Sequence, residues 1–372
     1  MKITFVIQDL FALGAQYVTA LMVRGFVNKG YDVDLIVSQV HQDLLNQGEL
    51  KPFEIPDCTR VIVLPSRKAH RNVFALRHYL KHTDSGCVIA MSTNYTEALA
   101  IASIGLRSSP LLMNVEHSGS AGVSWTGELL PPDKGLERVR HWLIYHQYDI
   151  LTAVSRGTAD ALMHFMPWLR RPVQVVYNPV IDEHFYTKIK QTDAVHDWLE
   201  NKSCPTFVAA AAHTGCKNQH MLLRAIRTCN EKRPIRLVLF GQGPLTPQYE
   251  AFIQENHLED RIAIAGYTNN LPLAIKHSDG FIVSSDVESF SIVLVEALAC
   301  GVPIISTNCH FGPPEILKNG QYGTLVPVGD DTAMASAILN VAEGGGIIPP
   351  EDSWKRFSLE AIVERYENVM RG

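Results

Sequence analysis

No stretch of this 372-residue chain carries the run of roughly 18–20 apolar residues that a membrane-crossing helix needs. A membrane-spanning protein is therefore not expected. There is no C-x-x-C pair either: the seven cysteines, at 58, 87, 204, 216, 229, 300 and 309, are scattered and odd in number. That pattern argues against a disulfide framework or a zinc site, and for a reducing cytoplasm. Fixed-period repeats are missing. After the first apolar segment, Ile3 to Ile7, the G-x-G-x-x-G of a dinucleotide site is missing too. The chain runs Gln8-Asp9-Leu10-Phe11-Ala12-Leu13-Gly14-Ala15, with one glycine, so a nicotinamide cofactor is not expected. The N-terminus begins like a leader peptide, but it meets Gln8-Asp9 too soon for an apolar core of that kind. It reads as a first strand, and export is not expected.

What is present describes a soluble globular protein, with 46 % hydrophobic and 19 % charged residues. The length suits two domains. The net charge of −5 is unevenly spread. Residues 1–180 hold 17 Lys and Arg against 15 Asp and Glu, and residues 181–372 hold 16 against 23, giving +2 and −7. The first half, which also has eight of the fifteen histidines, is the better candidate to face something anionic.

Strands and helices alternate along both halves, the pattern of a doubly wound α/β protein. Apolar strands are expected at 3–7, 31–37, 61–64, 88–90, 111–115, 150–153 and 173–176. Helices are expected at 14–28, 73–82, 97–104, 136–148 and 156–165. Asn178-Pro179-Val180 closes this half, and the polar segment Asp182 to Lys202 reads as a linker. The second half gives strands at 206–211, 235–240, 262–265, 281–283, 304–305 and 324–326. Its helices fall at 217–228, 245–257, 271–276, 292–299 and, capped by Asp330, beyond 331. A final amphipathic helix covers 358–370.

The densest signal is the stretch from Asp279 to Thr307. A short strand leads into Ser284-Ser285-Asp286 and then Glu288-Ser289-Phe290-Ser291. A helix follows from Ile292, stopped by Gly301-Val302-Pro303 before the next strand. Such a turn lies at the carboxyl end of a strand, where open parallel sheets bind ligands. Glu288 and Glu296 stand with seven residues between them. As isolated residues they read as a helix-start acid and a solvated side chain. Glu296 is embedded in an apolar run, however, so its carboxylate is either partly buried with partners or turned toward a ligand.

This string, with its Glu296-Ala297-Leu298-Ala299-Cys300-Gly301-Val302-Pro303 tail, resembles the Glu-x7-Glu signature of the retaining glycosyltransferases of family 4. The resemblance implies the GT-B fold, two Rossmann-like domains facing across a central cleft. It places an acceptor-side domain at residues 1–180, with the helix 358–372 packing back on it, and a nucleotide-sugar domain at 181–357. It implies a metal-independent transferase with no cofactor, whose substrate is a nucleotide-diphosphate sugar, most naturally UDP-linked. The acceptor would be a glycan or lipid-linked molecule in bacterial surface polysaccharide or lipopolysaccharide synthesis. No nucleic-acid partner is implied, and the location would be cytoplasmic, with attachment to the inner face of the membrane open.

Residue by residue, the resemblance gives Glu296 the ribose hydroxyls and Glu288 the sugar ring. Backbone groups of Phe290, Ser291 and Ile292, with Lys217, would hold the diphosphate. Gly14 and Ala15 stand where the family has Gly-Gly at a helix start; a simple turn is the plain alternative. His117, after the strand at 111–115, would hydrogen-bond a sugar hydroxyl, although a lone histidine is commonly structural. Gly241, in Gly241-Gln242-Gly243-Pro244, opens a turn, and Gly266-Tyr267 would lie by the base.

The informative departure is Ala209-Ala210-Ala211-Ala212-His213-Thr214-Gly215-Cys216-Lys217-Asn218, where the family usually has G-R-L-x-x-x-K. Lys217 matches, but the arginine falls on Ala212, and His213 could replace it only as an imidazolium. A sugar-nucleotide 2-epimerase and a non-catalytic relative therefore stay open as alternatives.

Overall fold

The computed structural model describes residues 1–10, 14–38, 55–106, 110–117, 129–191 and 195–372. The chain forms two compact units. One contains the described residues up to Val180 together with Phe357–Gly372, and the other contains Ile181–Arg356.

In the first unit, β1 (Lys2–Ile7), β2 (Asp32–Ser38), β3 (Arg60–Leu64), β4 (Cys87–Ala90), β5 (Leu111–Glu116), β6 (Ile150–Ala153) and β7 (Val173–Val175) make a parallel sheet. Its order is β3-β2-β1-β4-β5-β6-β7. The inner strands are near-continuous Val, Ile and Leu because both of their faces are covered, whereas the edge strand β3 leaves Val61 and Val63 exposed. Phe5, Val6, Leu35, Ile36, Val88 and Ile89 are all fully buried. The order reverses at β1, which pairs with β2 on one side (Lys2 opposite Asp32) and β4 on the other (Ile3 opposite Cys87). That reversal opens a crevice at the carboxyl ends of the strands.

The C-terminal helix, Leu359–Arg371, belongs to this unit and lies on the Gly14–Asn28 helix. Gly25 allows the close approach: a Cβ there would fall 2.6 Å from Val363 Cγ2. Glu367 closes the contact by accepting from Lys29 Nζ and Tyr31 Oη, both at 2.7 Å.

The second unit repeats the plan with β8 (Thr206–Ala210), β9 (Arg236–Phe240), β10 (Ile262–Gly266), β11 (Gly280–Val283), β12 (Ile304–Thr307) and β13 (Thr324–Val326). All pairs are parallel, in the order β10-β9-β8-β11-β12-β13. Here the reversal lies between β8 and β11. Phe207, Leu222, Ile226, Leu237, Ile282 and Ile338 form part of one core beneath it.

Two expectations need correction. The segment 182–202 contains two short helices, Glu183–Lys188 and Asp197–Glu200. Each is started by a side-chain cap, Asp182 Oδ1 accepting from the Phe185 amide and His196 Nδ1 from the Trp198 amide. The helix expected from Lys217 instead begins at Gln219. Asn218 adopts a left-handed conformation (φ 42°) and caps it, so Lys217 ends a 3₁₀ turn, Gly215–Lys217, ahead of the helix.

Candidate functional site

At the carboxyl edge of the second sheet, successive turns are tied to each other through the backbone. The Ala211 amide donates to Phe240 O, His213 to Gln242 O, Leu245 to His213 O and Gly241 to Gly266 O, at 2.7–3.1 Å. Gly241 has φ 118°, and a Cβ there would lie 2.0 Å from Ala211 O, so only glycine lets these strand ends meet. The turns after β8 and β11 are joined in the same way. The Asp286 amide donates to Cys216 O and Ser284 Oγ to Lys217 O, both at 2.9 Å, and Asn218 Nδ2 donates to Asp286 Oδ1 at 2.8 Å.

Within this frame Lys217 and Glu288 are paired. Lys217 Nζ lies 2.7 Å from Glu288 Oε1, and Ser285 Oγ donates to the same oxygen at 2.8 Å. The two side chains are only 25 % and 11 % exposed. Burial pulls the Lys217 ammonium down, but the charge of Glu288 and its hydrogen bond outweigh this, and the ammonium ends above its ordinary value. A cavity of about 20 Å³, lined in part by Ala209, Ala211, Lys217, Ser284, Ser285 and Glu288, lies beside the pair.

The helix Ile292–Cys300 starts directly after this cluster. Ser291 stands before it with φ 82°, a conformation L-residues rarely adopt, and makes no side-chain cap bond. Its buried Oγ has no hydrogen-bond partner among the described residues. The first-turn amides are therefore left without a side-chain cap, an arrangement that suits an anion. Phe290 is buried beside Ser291, and Ile292 is partly buried. Glu296, one helical turn beyond Ile292, is half-buried. Burial pushes its carboxyl up to about 7, with Lys188 drawing it back only in part.

The reading of His213 as a replacement cation is corrected. The ring is fully buried, its Nδ1 shares a 2.7 Å hydrogen bond with Thr246 Oγ1, and it packs edge-on against Tyr249. Burial lowers its pKa, so it is held neutral and is no substitute for an arginine. Its Nε2 is buried and has no hydrogen-bond partner among the described residues. Ala212 beside it is exposed. Gly266 takes φ 68° at the end of β10, and Tyr267 after it is 69 % exposed.

Gly14, Ala15 and His117 belong to the first unit. Gly14 and Ala15 open the Gly14–Asn28 helix, and residues 11–13 before them lie outside the described residues. His117 follows β5, and its buried Nε2 has no partner among the described residues. Burial pushes the ring down to about 4. Reading from the sequence missed Ser285 and Ser284, which fix the pair. Their signal was the run of small polar residues ending an apolar strand. It also missed a pocket of about 570 Å³ in the first unit, lined by Glu97, Lys134, His141 and Phe165 among others. There the buried Asp133 carboxylate accepts from Trp168 Nε1 and pairs with His141 Nδ1. Among the described residues, no three His, Cys, Asp or Glu side chains form a group able to hold a metal ion.

Two family profiles divide the chain between them. "Glycosyltransferase Family 4" matches residues 13–184, and "Glycosyl transferases group 1" matches residues 190–356. The chain belongs to the family 4 glycosyltransferases. Its GT-B fold is shared with solved structures at low identity. Anabaena HepE in complex with UDP-glucose gives a TM-score of 0.75 at 20 % identity, covering 100 % of this chain and 99 % of that one. The pneumococcal O-GlcNAc transferase GtfA, in complex with UDP and GlcNAc, gives 0.75 at 13 %, covering 100 % and 98 %.

Among curated relatives of this chain, the N-acetyl-alpha-D-glucosaminyl L-malate synthase of Bacillus anthracis is 29 % identical over 60 % of this chain and 59 % of its own length. A Campylobacter jejuni N-acetylgalactosamine-N,N'-diacetylbacillosaminyl-diphospho-undecaprenol 4-alpha-N-acetylgalactosaminyltransferase is 26 % identical over 54 % and 53 %. The matches thus span a little over half the length of these two relatives.

Proposed function

We propose that this glycosyltransferase is a retaining, metal-independent enzyme. It would move a hexose or N-acetylhexosamine from a UDP-sugar to a glycan or lipid-linked acceptor in bacterial surface polysaccharide or lipopolysaccharide synthesis. The observation that carries this is the Lys217–Glu288–Ser285 cluster at the carboxyl edge of β8 and β11, beside the uncapped start of the Ile292–Cys300 helix. UDP in the HepE and GtfA complexes supports a uridine donor, and the diphospho-undecaprenol acceptor of the Campylobacter relative supports a lipid-linked one.

In this reading Lys217 and the amides from Phe290 to Ile292 take the diphosphate and stabilise the charge it gains as the glycosidic bond breaks. Glu296 accepts hydrogen bonds from the ribose hydroxyls, and Glu288 those of the sugar ring. The transition state resembles an oxocarbenium ion, and the leaving phosphate takes the acceptor's proton, so no separate base is required. His117 donates or accepts one hydrogen bond to the sugar.

The partner surface belongs to the first unit. Its Gly135–Tyr145 helix leaves Leu136, Val139, Trp142 and Leu143 at 88 %, 54 %, 47 % and 45 % exposure beside Arg138 and Arg140. Phe74, on the Val73–His82 helix, is 85 % exposed. Apolar groups among cations suit peripheral attachment to an anionic membrane surface. Among the described residues no helix is long and apolar enough to cross a membrane.

A donor screen with UDP-, GDP- and ADP-sugars, with product analysis in the presence and absence of acceptor, tests the function. Sugar transferred with retained anomeric configuration is expected. Free rearranged nucleotide sugar formed without acceptor would make the protein an epimerase, and no turnover with any donor would make it a non-catalytic relative.

A further inference from the structure

The cation suited to a diphosphate is already engaged. Glu288 Oε1 holds the Lys217 ammonium at 2.7 Å, and Ser285 Oγ fixes that same oxygen from a second side. The backbone keeps the two residues together. Ser284 Oγ donates to the Lys217 carbonyl and the Asp286 amide donates to the Cys216 carbonyl, so the turns after β8 and β11 form one piece. Thr307 Oγ1 adds a short hydrogen bond to the Ser285 carbonyl, tying in the end of β12. An ion pair on an open surface contributes little, but this one is mostly buried and anchored at both ends. A diphosphate that approaches Lys217 must share the ammonium with the Glu288 carboxylate or displace it, and in either case it comes close to a fixed negative charge.

We infer that Glu288 is a competing anion built into the donor site, holding Lys217 against a nucleoside diphosphate and thereby shortening the stay of the diphosphate product. This rests on the reading of the β8–β11 edge as the diphosphate site. A nucleotide sugar carries hydroxyls that donate to the Glu288 carboxylate, occupy its oxygens and loosen its hold on Lys217. After transfer the sugar is gone, Glu288 returns to the ammonium, and the diphosphate is released. Glu288 acts on the diphosphate through Lys217, as a positioning residue, in addition to its contact with the sugar.

The test is titration calorimetry of UDP and of inorganic pyrophosphate against the wild type, Glu288→Gln, Lys217→Met and the double variant, with melting curves to confirm folding. Glu288→Gln is expected to bind both anions about tenfold more tightly and to show stronger inhibition by UDP. In the Lys217→Met background the same change should alter affinity by less than about twofold, because the contested cation is absent. Glu288→Asp, charged but shorter, should lie between. If Lys217→Met weakens both anions while Glu288→Gln leaves their affinity unchanged or lowers it, the competition is refuted and the diphosphate site stands. If Lys217→Met leaves UDP and pyrophosphate binding unchanged, the diphosphate site itself is misplaced. Absence of binding to all four proteins would refute both.

Discussion

The two units share one sheet plan and use it in opposite ways. In the second, polar groups at the strand ends turn inward and satisfy one another: Lys217 with Glu288, Ser285 with Glu288, Asn218 with Asp286, and Thr246 with His213. In the first, large apolar side chains turn outward beside cations, with Phe74, Leu136 and Trp142 at 85 %, 88 % and 47 % exposure. A polar cluster carried on turns that are tied together suits a small ligand of fixed chemistry, because the backbone that presents it is ordered beforehand and only the Lys217–Glu288 pair has to loosen. An open apolar and basic surface suits a partner that is large and variable in detail. The same fold thus carries a tied polar cluster at the strand ends of one unit and outward apolar side chains on helices of the other.

The largest expected effect falls on the polar cluster. Lys217→Ala should lower kcat by about two to three powers of ten, the scale for removing one preorganised transition-state group. Ala212→Arg should partly restore that variant, since Ala212 is exposed just after the end of β8, the strand that also leads to Lys217. Initial-rate kinetics on the single and double variants check both. Because burial lowers the His213 pKa and holds the ring neutral, the pH–rate profile should show no loss of activity from this residue as pH rises from about 6 to 8.

Next in size is Glu296. Glu296→Ala should cost about 1.5–3 kcal/mol of donor affinity with kcat little changed, since ribose contacts are the same in ground and transition states. An unchanged Kd by calorimetry would remove Glu296 from the donor site. Its raised carboxyl sharpens the point, because the ionised form accepts hydrogen bonds better. Donor affinity should rise about tenfold as pH passes upward through 7, and Glu296→Gln should abolish the rise.

Stability should move in the other direction. A carboxyl raised by folding favours the folded state fully below its unfolded value, and that contribution is lost as pH climbs through about 7. Glu296→Gln should therefore melt higher than the wild type at pH 8 and at nearly the same temperature at pH 4. Equal differences at both would show that the carboxyl is not shifted.

The smallest effect belongs to the first unit. Co-sedimentation with vesicles rich in anionic lipid at low salt should be reduced by the pair Leu136→Ser and Trp142→Ser, with donor binding unaffected. Arg138→Ala should subtract about 1 kcal/mol of this attachment. Equal recovery on neutral and anionic vesicles would remove the distinction between the units.

Much of the architecture was legible because buried parallel strands are continuous apolar runs, and Phe281 to Val283 or Leu237 to Phe240 admit few other readings. Short capped helices were not. Glu183–Lys188 has too few residues for a periodic signal, and its start depends on the Asp182 carboxylate reaching the Phe185 amide. Lys217 was mistaken for a helical residue because nothing local announces that Asn218 takes the left-handed conformation that ends one turn and starts the next. Lys217 and Glu288 could each be singled out from their own neighbourhoods. Their pairing could not, since it joins residues 71 apart through the pairing of β8 with β11. His213 shows the converse failure. Its position beside Ala212 suggested a replacement cation, and only the packing of Tyr249 and the hydrogen bond to Thr246 reveal a buried neutral brace.

The central claim is that the second unit's strand-end cluster receives a nucleoside diphosphate, and a crystal structure of the protein with UDP tests it most directly. The account predicts a phosphate oxygen within hydrogen-bond distance of Lys217 Nζ, others on the amides from Phe290 to Ile292, and the ribose hydroxyls on Glu296. A UDP molecule bound with its phosphates away from Lys217 and from the start of the Ile292–Cys300 helix would contradict it.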